Sequence, residues 1–549
     1  MAVDLQAGAP ALDQDILRQI GSAVGAGDYE KAYNLAEAEI ARGCVHPTLY
    51  NARAMWLERQ QRDREALVDY QRSKSLTPNN AFLLEAIGLC FTRLFQFAEA
   101  VATFDEAIRA NPLHMASYNR KAEALSMAGN FDAARRVYER AIALDPRNVE
   151  SLAGLSSIAA QRGDMKKAAD YARRAVAIEP ALPTAQAVLA QLDISQGDFV
   201  SAEERVRPLL RESQIVGKGR ASLLGILGDA LDGQHRIEDA FEAYTAENTE
   251  LLRLNSLRFA GAMRIADLCD ALVAHYKDRS IEFDTADGRD PAADDGPDGH
   301  VFLLGFYRSG TTLLEQALEA HPKVVTLEER ELLGADAEHF LTSRASLSRL
   351  DALSGDELHA LRSNYWRNVG REGLNVGGKV FVDKHPLNTL KLPIIAKLFP
   401  EAKILFAVRD PRDVILSCYR RHFQINAAMY ELLTLPGAAR LYDAVMRLAG
   451  VMREKTPLKF MDCRYEKIVD DFRGSMHGVC EFIGLDYDAS MESFSSVERA
   501  DAIRSPSATQ VRRELYREGI AQWRPYAAHL DVVSPILNRW IDHFGYTAE

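Results

Sequence analysis

The chain has 549 residues, and at about 150 residues per domain that length predicts three or four domains. Hydrophobic residues make up 47% and charged residues 26%, a globular balance that excludes wholesale disorder. The formal charge of -12 excludes a broad nucleic-acid-binding surface but leaves room for a local basic pocket. Six scattered cysteines without a Cys-x-x-Cys pair argue against a zinc site and a disulfide scaffold, and suit a reducing compartment. The N-terminal segment has neither a basic region nor an apolar core, so no signal peptide is expected. No apolar run approaches the ~20 residues that cross a bilayer. A cytoplasmic protein without membrane or nucleic-acid partners is expected.

The first half carries an internal repeat. Pro78, Pro112, Pro146 and Pro180 recur every 34 residues (112 − 78, 146 − 112, 180 − 146). Ala66, Ala100, Ala134, Ala168 and Ala202 keep the same period, and Tyr70, Phe104 and Tyr138 each follow four residues later. Ala107, Ala141 and Ala175 hold a second small position, and Gly88 and Ala122 a third. Small residues let antiparallel helices approach closely, and an aromatic one turn along fills the gap to the next hairpin. Proline stops each second helix, and Gly129-Asn130 and Gly163-Asp164 mark turns. The pattern resembles a tetratricopeptide array of about seven units over residues 13–254, the last reached after a slip of four and carrying Gly228, Ala240 and Tyr244. Such a solenoid predicts an extended peptide or protein partner on its concave surface, with dimerisation or internal packing as the alternative.

Residues 255–300 read as a helical connection followed by an Asp-, Gly- and Pro-rich solvated linker. The texture changes at Val301. Val301–Phe306 predicts a buried strand, Tyr307–Thr312 a loop, and the apolar-periodic run after it a helix, the layout of a phosphate-binding loop. Thr311 stands where a nucleoside-triphosphatase loop has lysine, which argues for a ligand without a triphosphate chain. Arg308 supplies a cation inside the loop instead. Two further strands end in charged loops, one at Lys384-His385 and one at Arg409, the latter followed by a helix with Ser417 and Arg421. Ligands collect at the carboxyl ends of parallel strands in open α/β sheets. Arg308, Lys384, Arg409 and Arg421 are therefore expected to converge on a polyanion. The alternative for each residue is a surface ion pair.

Six segments carry a family resemblance in a consistent order: 302–322, the Asp383–Asn388 stretch, 408–417, 464–469, 507–512 and 522–526. Residues 301–549 resemble a sulfotransferase, most closely the tyrosylprotein sulfotransferases, so the chain as a whole resembles a tetratricopeptide-repeat sulfotransferase. The resemblance implies an α/β P-loop-like domain with a central parallel sheet behind an all-α solenoid. It also implies 3′-phosphoadenosine-5′-phosphosulfate as donor co-substrate, and no metal. Arg308, Ser309, Gly310, Thr311 and Thr312 match the residues that cradle the 5′-phosphosulfate. Arg409, Ser417 and Arg421 match those on the 3′-phosphate, and Tyr465 a nucleotide contact.

Glu329 matches the catalytic base by spacing, although Leu327 replaces a family glycine and Glu331 falls on a family arginine. Glu328, Glu329 and Glu331 also read as acids at a helix N-terminus. His385 is the rival base, by likeness to cytosolic small-molecule sulfotransferases. Adjacent residues on an extended loop face opposite ways, so Lys384 and His385 cannot both face the sulfuryl group. Lys384, Arg308 and Ser507 are expected to stabilise charge on the leaving oxygen. The expected activity is sulfuryl transfer to a tyrosine of a peptide or protein recruited by the repeats, with a possible homodimer. The alternatives are transfer to a small-molecule or glycan hydroxyl with repeats for oligomerisation, a repeat adaptor with a vestigial nucleotide site, and a P-loop kinase using Asp383. Because every candidate donor ligand follows Val301, residues 1 to about 280 are expected to be dispensable for donor binding.

Overall fold

A computed structural model describes residues 12–212, 215–279, 296–421, 425–496 and 519–547. Ser507 and most of the acidic linker lie outside the described residues. The chain divides into two compact units, residues 1–195 and 196–549.

Fourteen helices run from Gln14–Gly25 to Ile237–Asn255, the first eleven in the N-terminal unit and the last three in the second; within each unit consecutive helices pack as hairpins, as Pro47–Arg59 does on Asp63–Leu76 and Gly217–Gly233 on Ile237–Asn255. The periodic alanines Ala66, Ala100, Ala134, Ala168 and Ala202 are all fully buried at helix contacts. The aromatics do not all reach the next hairpin. Tyr138 packs on Gly154 of the following one, whereas Phe104 and Tyr244 turn back onto Gly88 and Gly228 of their own. Asx side chains start many of the helices: Asp28, Asn130, Asn148, Asp164 and Asp198 each accept a hydrogen bond from a backbone N–H of the first turn.

The 34-residue period also governs the backbone. Each turn inside a hairpin needs one left-handed residue. Gly27, Gly129, Gly163 and Gly197 supply it without strain, but Gln61, Phe95 and His235 take the same conformation at φ near 60°. A side chain there crowds the following carbonyl at a cost of roughly 1–2 kcal/mol.

The C-terminal unit is built on a five-stranded sheet: β1 (Gly299–Gly305), β2 (Val324–Glu328), β3 (Val380–Lys384), β4 (Lys403–Val408) and β5 (Lys459–Arg464). All strands are parallel, in the order β2-β3-β1-β4-β5. On one face Val301 and Leu303 pack with Leu314, Ala317 and Leu318 of the helix Thr311–Glu319, and with the helix Phe472–Ile483. On the other, Phe302 meets Tyr365 and Phe399. The chain leaves β1 toward β2 and later returns to its other side as β4. This switch point sets the loops after β1 and β4 side by side, where a parallel sheet opens a crevice.

The last three of the fourteen helices and the helix Ile265–Tyr276 belong to this same unit. Asn248 donates to the Tyr419 carbonyl at 2.9 Å, and the Thr245 and Tyr419 hydroxyls are 3.0 Å apart. The unit that holds the sheet thus begins at Gln196.

Gln61 is exposed, so its substitution isolates the backbone effect. Gln61→Gly is expected to stabilise the repeat array by about 0.5–1 kcal/mol despite the added freedom of the unfolded chain, and Gly129→Gln to destabilise it by a similar amount. Urea unfolding of the two variants checks this. Destabilisation by Gln61→Gly would contradict the strain assigned to that turn.

Candidate functional site at the carboxyl ends of β1, β3 and β4

The loop after β1 is shaped by two glycines. A Cβ at Gly305 would lie 2.7 Å from the Ala407 carbonyl oxygen of the neighbouring strand. Gly310, left-handed at φ 96°, precedes the helix Thr311–Glu319, and a Cβ there would lie 2.7 Å from the Tyr465 ring. Arg308 between them is also left-handed, at φ 65°. Alternating backbone of this kind turns successive N–H groups toward one point, and the helix N-terminus adds its dipole. Ser309, Thr311 and Thr312 are buried at that end.

Several guanidinium groups gather beside the loop. Arg308 Nε donates to Ser417 Oγ at 2.9 Å, and Arg409 donates to the Arg308 carbonyl at 3.0 Å and to the Gly519 carbonyl. The Arg409 guanidinium stands 5.0 Å from the Tyr465 ring, and its Nε is buried with no hydrogen-bond partner among the described residues. Burial, and then the charges of Arg421, Arg409 and Arg420, push the Arg308 guanidinium down to about 9. Like charges are thus held together in a poorly solvated place, and Asp413, 4.0 Å from Arg409, offsets them in part. Asp413 is itself engaged: it accepts from Ala521 N–H at 2.8 Å and Trp523 N–H at 2.9 Å, and burial pushes its carboxyl up to about 6. A bound polyanion relieves such a cluster, and the orphaned Arg409 Nε is a donor waiting for an acceptor.

At the ends of β2 and β3 the charges are reversed. The Lys384 ammonium is fully buried, 3.0 Å from Glu315, 3.0 Å from Glu329 and 3.5 Å from Glu328. Burial opposes its charge, but the three carboxylates outweigh burial and hold its proton more tightly than usual. Glu315 responds the other way: burial first, offset in part by Lys384, pushes it up to about 8. Glu329 is left-handed at φ 45°, and its backbone N–H donates to the Lys384 carbonyl at 2.7 Å. Among the described residues, the left-handed non-glycines outside the repeat turns are Arg308, Glu329 and Ala521, and all three lie around this crevice. Tyr307 joins the two charge clusters. Burial and the charges of Glu329 and Cys418 raise its phenol well above the usual range.

His385 does not share the position of Lys384. Its Nε2 is 2.8 Å from Glu331, which also binds Lys391 at 2.5 Å. The His385 contact, and then Lys391, draw Glu331 down to about 2 despite burial. Asp383 lies on the opposite side of β3 from Lys384, as strand alternation requires, and accepts from the Tyr365 hydroxyl at 2.9 Å. Burial pushes the Asp383 carboxyl up to about 6.

The candidate residues therefore fall into two adjoining groups. Arg308, Ser309, Gly310, Thr311, Thr312, Arg409, Ser417 and Tyr465 surround the loop, with Arg421 acting on Arg308 through its charge. Glu329 and Lys384 form an ion pair at the adjoining strand end. Two participants were not singled out from the sequence. Glu315 signals itself only as an acid on the inward side of an amphipathic helix, and Asp232 lies in the repeats.

Comparison with known proteins identifies the two kinds of domain. Residues 300–489 match the model of the sulfotransferase family, and residues 93–131 and 122–183 match that of the tetratricopeptide repeat. The C-terminal half of this chain thus contains a sulfotransferase-family domain, behind an N-terminal tetratricopeptide array. Protein-tyrosine sulfotransferase A of Caenorhabditis elegans is 24% identical over 263 residues, 44% of this chain and 66% of that protein. An uncharacterized protein of Aquifex aeolicus is 25% identical over 250 residues, 43% of this chain but only 32% of its own length. The sulfotransferase domain of the Synechococcus PCC 7002 olefin synthase covers 49% of this chain and 100% of its own, at 21% identity and a TM-score of 0.35.

The buried Glu315 makes stability depend on pH. Its ordinary value is 4.5 and its folded value about 8, so between them the folded chain keeps a proton that the unfolded chain has lost. Its contribution is present below pH 4.5 and is lost as the pH rises to about 8. Glu315→Gln, which cannot ionise, should gain stability relative to the unaltered chain across that window. Denaturant unfolding at pH 5, 6.5 and 8 checks this, and a constant difference would mean that Glu315 is already ionised at pH 5.

Proposed function

We propose that the chain transfers the sulfuryl group of 3′-phosphoadenosine-5′-phosphosulfate to a tyrosine hydroxyl of a peptide or protein recruited by the repeats. The observation that carries the proposal is the meeting, at one sheet end, of the Arg308–Arg409–Ser417 cluster with the Lys384–Glu329 ion pair. A donor with phosphates at both ends of its nucleoside asks for two separate anion contacts. The loop 308–312 serves the 5′ end, and Arg409, Ser417 and Arg421 serve the 3′-phosphate. Tyr465, packed on Gly310 beside Arg409, lies along the nucleotide.

In this reading the acceptor oxygen attacks sulfur in line, and a new S–O bond forms. The bond from sulfur to the bridging phosphate oxygen breaks, and the electron pair stays on that oxygen. Glu329 takes the phenolic proton, and Lys384, Arg308 and Ser507 meet the charge on the leaving oxygen. Lys384 has two tasks. Before the donor arrives it holds Glu329 in place. When an anion enters, its ammonium turns from carboxylate to leaving oxygen and releases Glu329 as a base.

Glu331 favours a second reading, transfer to a small-molecule or glycan hydroxyl. It stands where the tyrosylprotein pattern has a peptide-binding cation, and it is consumed internally by His385 and Lys391.

Labelled-sulfate transfer to a tyrosine-containing peptide pool and to a metabolite pool tests both readings. Glu329→Gln should lower turnover by a factor of ~10²–10⁴ and leave donor affinity nearly intact. Lys384→Ala should weaken both, and His385→Ala should be mild. Loss of turnover in His385→Ala with an active Glu329→Gln would move the base to histidine and favour the small-molecule acceptor.

A further inference from the structure

The last repeat hairpin, in the same unit as the sheet, is tied to segments that border the site. Asp232, at the end of the helix Gly217–Gly233, uses both carboxylate oxygens on the catalytic side of its unit. Oδ2 pairs with Arg420 at 3.0 Å, and Oδ1 accepts from the Tyr526 hydroxyl at 2.6 Å. Arg420 also donates to Gln522 Oε1 at 2.7 Å, and its guanidinium stands 5.3 Å from the Tyr526 ring. Arg420 directly precedes Arg421 and caps the helix Pro411–Tyr419, which carries Ser417. The 519–526 segment is held at its other end by Asp413 and by Arg409, which donates to the Gly519 carbonyl.

Resting on the donor assignment above, we infer that Asp232 is a positioning residue for the 3′-phosphate side of the pocket, so that the last repeat hairpin is part of the donor site. Arg420 is a largely buried cation among Arg308, Arg409 and Arg421, and Asp232 is its carboxylate partner. Without that partner its charge keeps only the Gln522 hydrogen bond and the weaker influence of Asp229, and a buried cation that loses its ion pair tends to shift. Arg420 is the chain neighbour of Arg421 and caps the helix that bears Ser417, so a shift of its backbone is passed to both. Tyr419, held by Thr245 and Asn248 of the final repeat helix, fixes the same helix end from the same side. The effect therefore reaches Ser417 and Arg421, and leaves the loop 308–312 to hold the 5′ end.

The test compares two nucleotides that differ only by the 3′-phosphate, adenosine 3′,5′-bisphosphate and adenosine 5′-monophosphate, by calorimetry on the full chain. Asp232→Ala is expected to weaken the bisphosphate about tenfold, a common size for coupling between sites, and the monophosphate less than about twofold. Asp232→Asn loses the charge but can still accept from Tyr526. It should show the same selective loss, and it carries the comparison if the alanine variant does not fold. An equal loss for both nucleotides reports general damage and overturns the inference, as does an unchanged bisphosphate affinity. An unaltered chain that binds neither nucleotide overturns the donor assignment as well, which separates that failure from this one.

Discussion

Mutual repulsion among Arg308, Arg409 and Arg421 is the constraint around which the C-terminal unit is organised. Guanidinium groups do not gather in a poorly solvated crevice unless the backbone holds them there. Here the backbone is over-determined. Gly305 lets the loop pass against β4, Gly310 lets Tyr465 close over it, and Arg308 itself is left-handed. In the proposed function an entering anion relieves that repulsion, so that a chain of net charge -12 keeps a local site for a negatively charged ligand.

The Lys384 cage is the inverse arrangement at the adjoining strand end. One buried ammonium is shared by Glu315, Glu328 and Glu329, an excess of negative charge that is tolerable because burial keeps Glu315 protonated at neutral pH. In the proposed function the acidic cluster supplies the base for the incoming hydroxyl and the basic one the cations for the departing oxygen. Tyr307, which feels Glu329 on one side and Cys418 on the other, marks the seam between them.

Much of this was legible in the amino-acid order. The 34-residue period of buried alanines and the strand–loop–helix run around Arg308 are local patterns, and local patterns survive in one dimension. What escaped depends on tertiary contact. The left-handed turns at Gln61 and Phe95 keep the period but not the glycine, so residue type concealed them. Glu315 sits in an ordinary amphipathic helix, and only the approach of β3 makes it a partner of Lys384. Glu331 departs from the family pattern, and its use as a clamp for His385 and Lys391 emerges only once β3 and the turn after it are in place. Asp232 reads as one more surface acid of the repeats, because nothing local links it to Arg420, 188 residues away. Ser507 lies outside the described residues.

The central claim is that the crevice is built for a nucleotide with separated 5′ and 3′ phosphates and not for a triphosphate. The most direct measurement is calorimetric titration of the full chain with adenosine 3′,5′-bisphosphate and with ATP, each with and without magnesium. The account predicts tight binding of the bisphosphate that is indifferent to magnesium, and weak binding of ATP. Tighter, magnesium-dependent binding of ATP would contradict it.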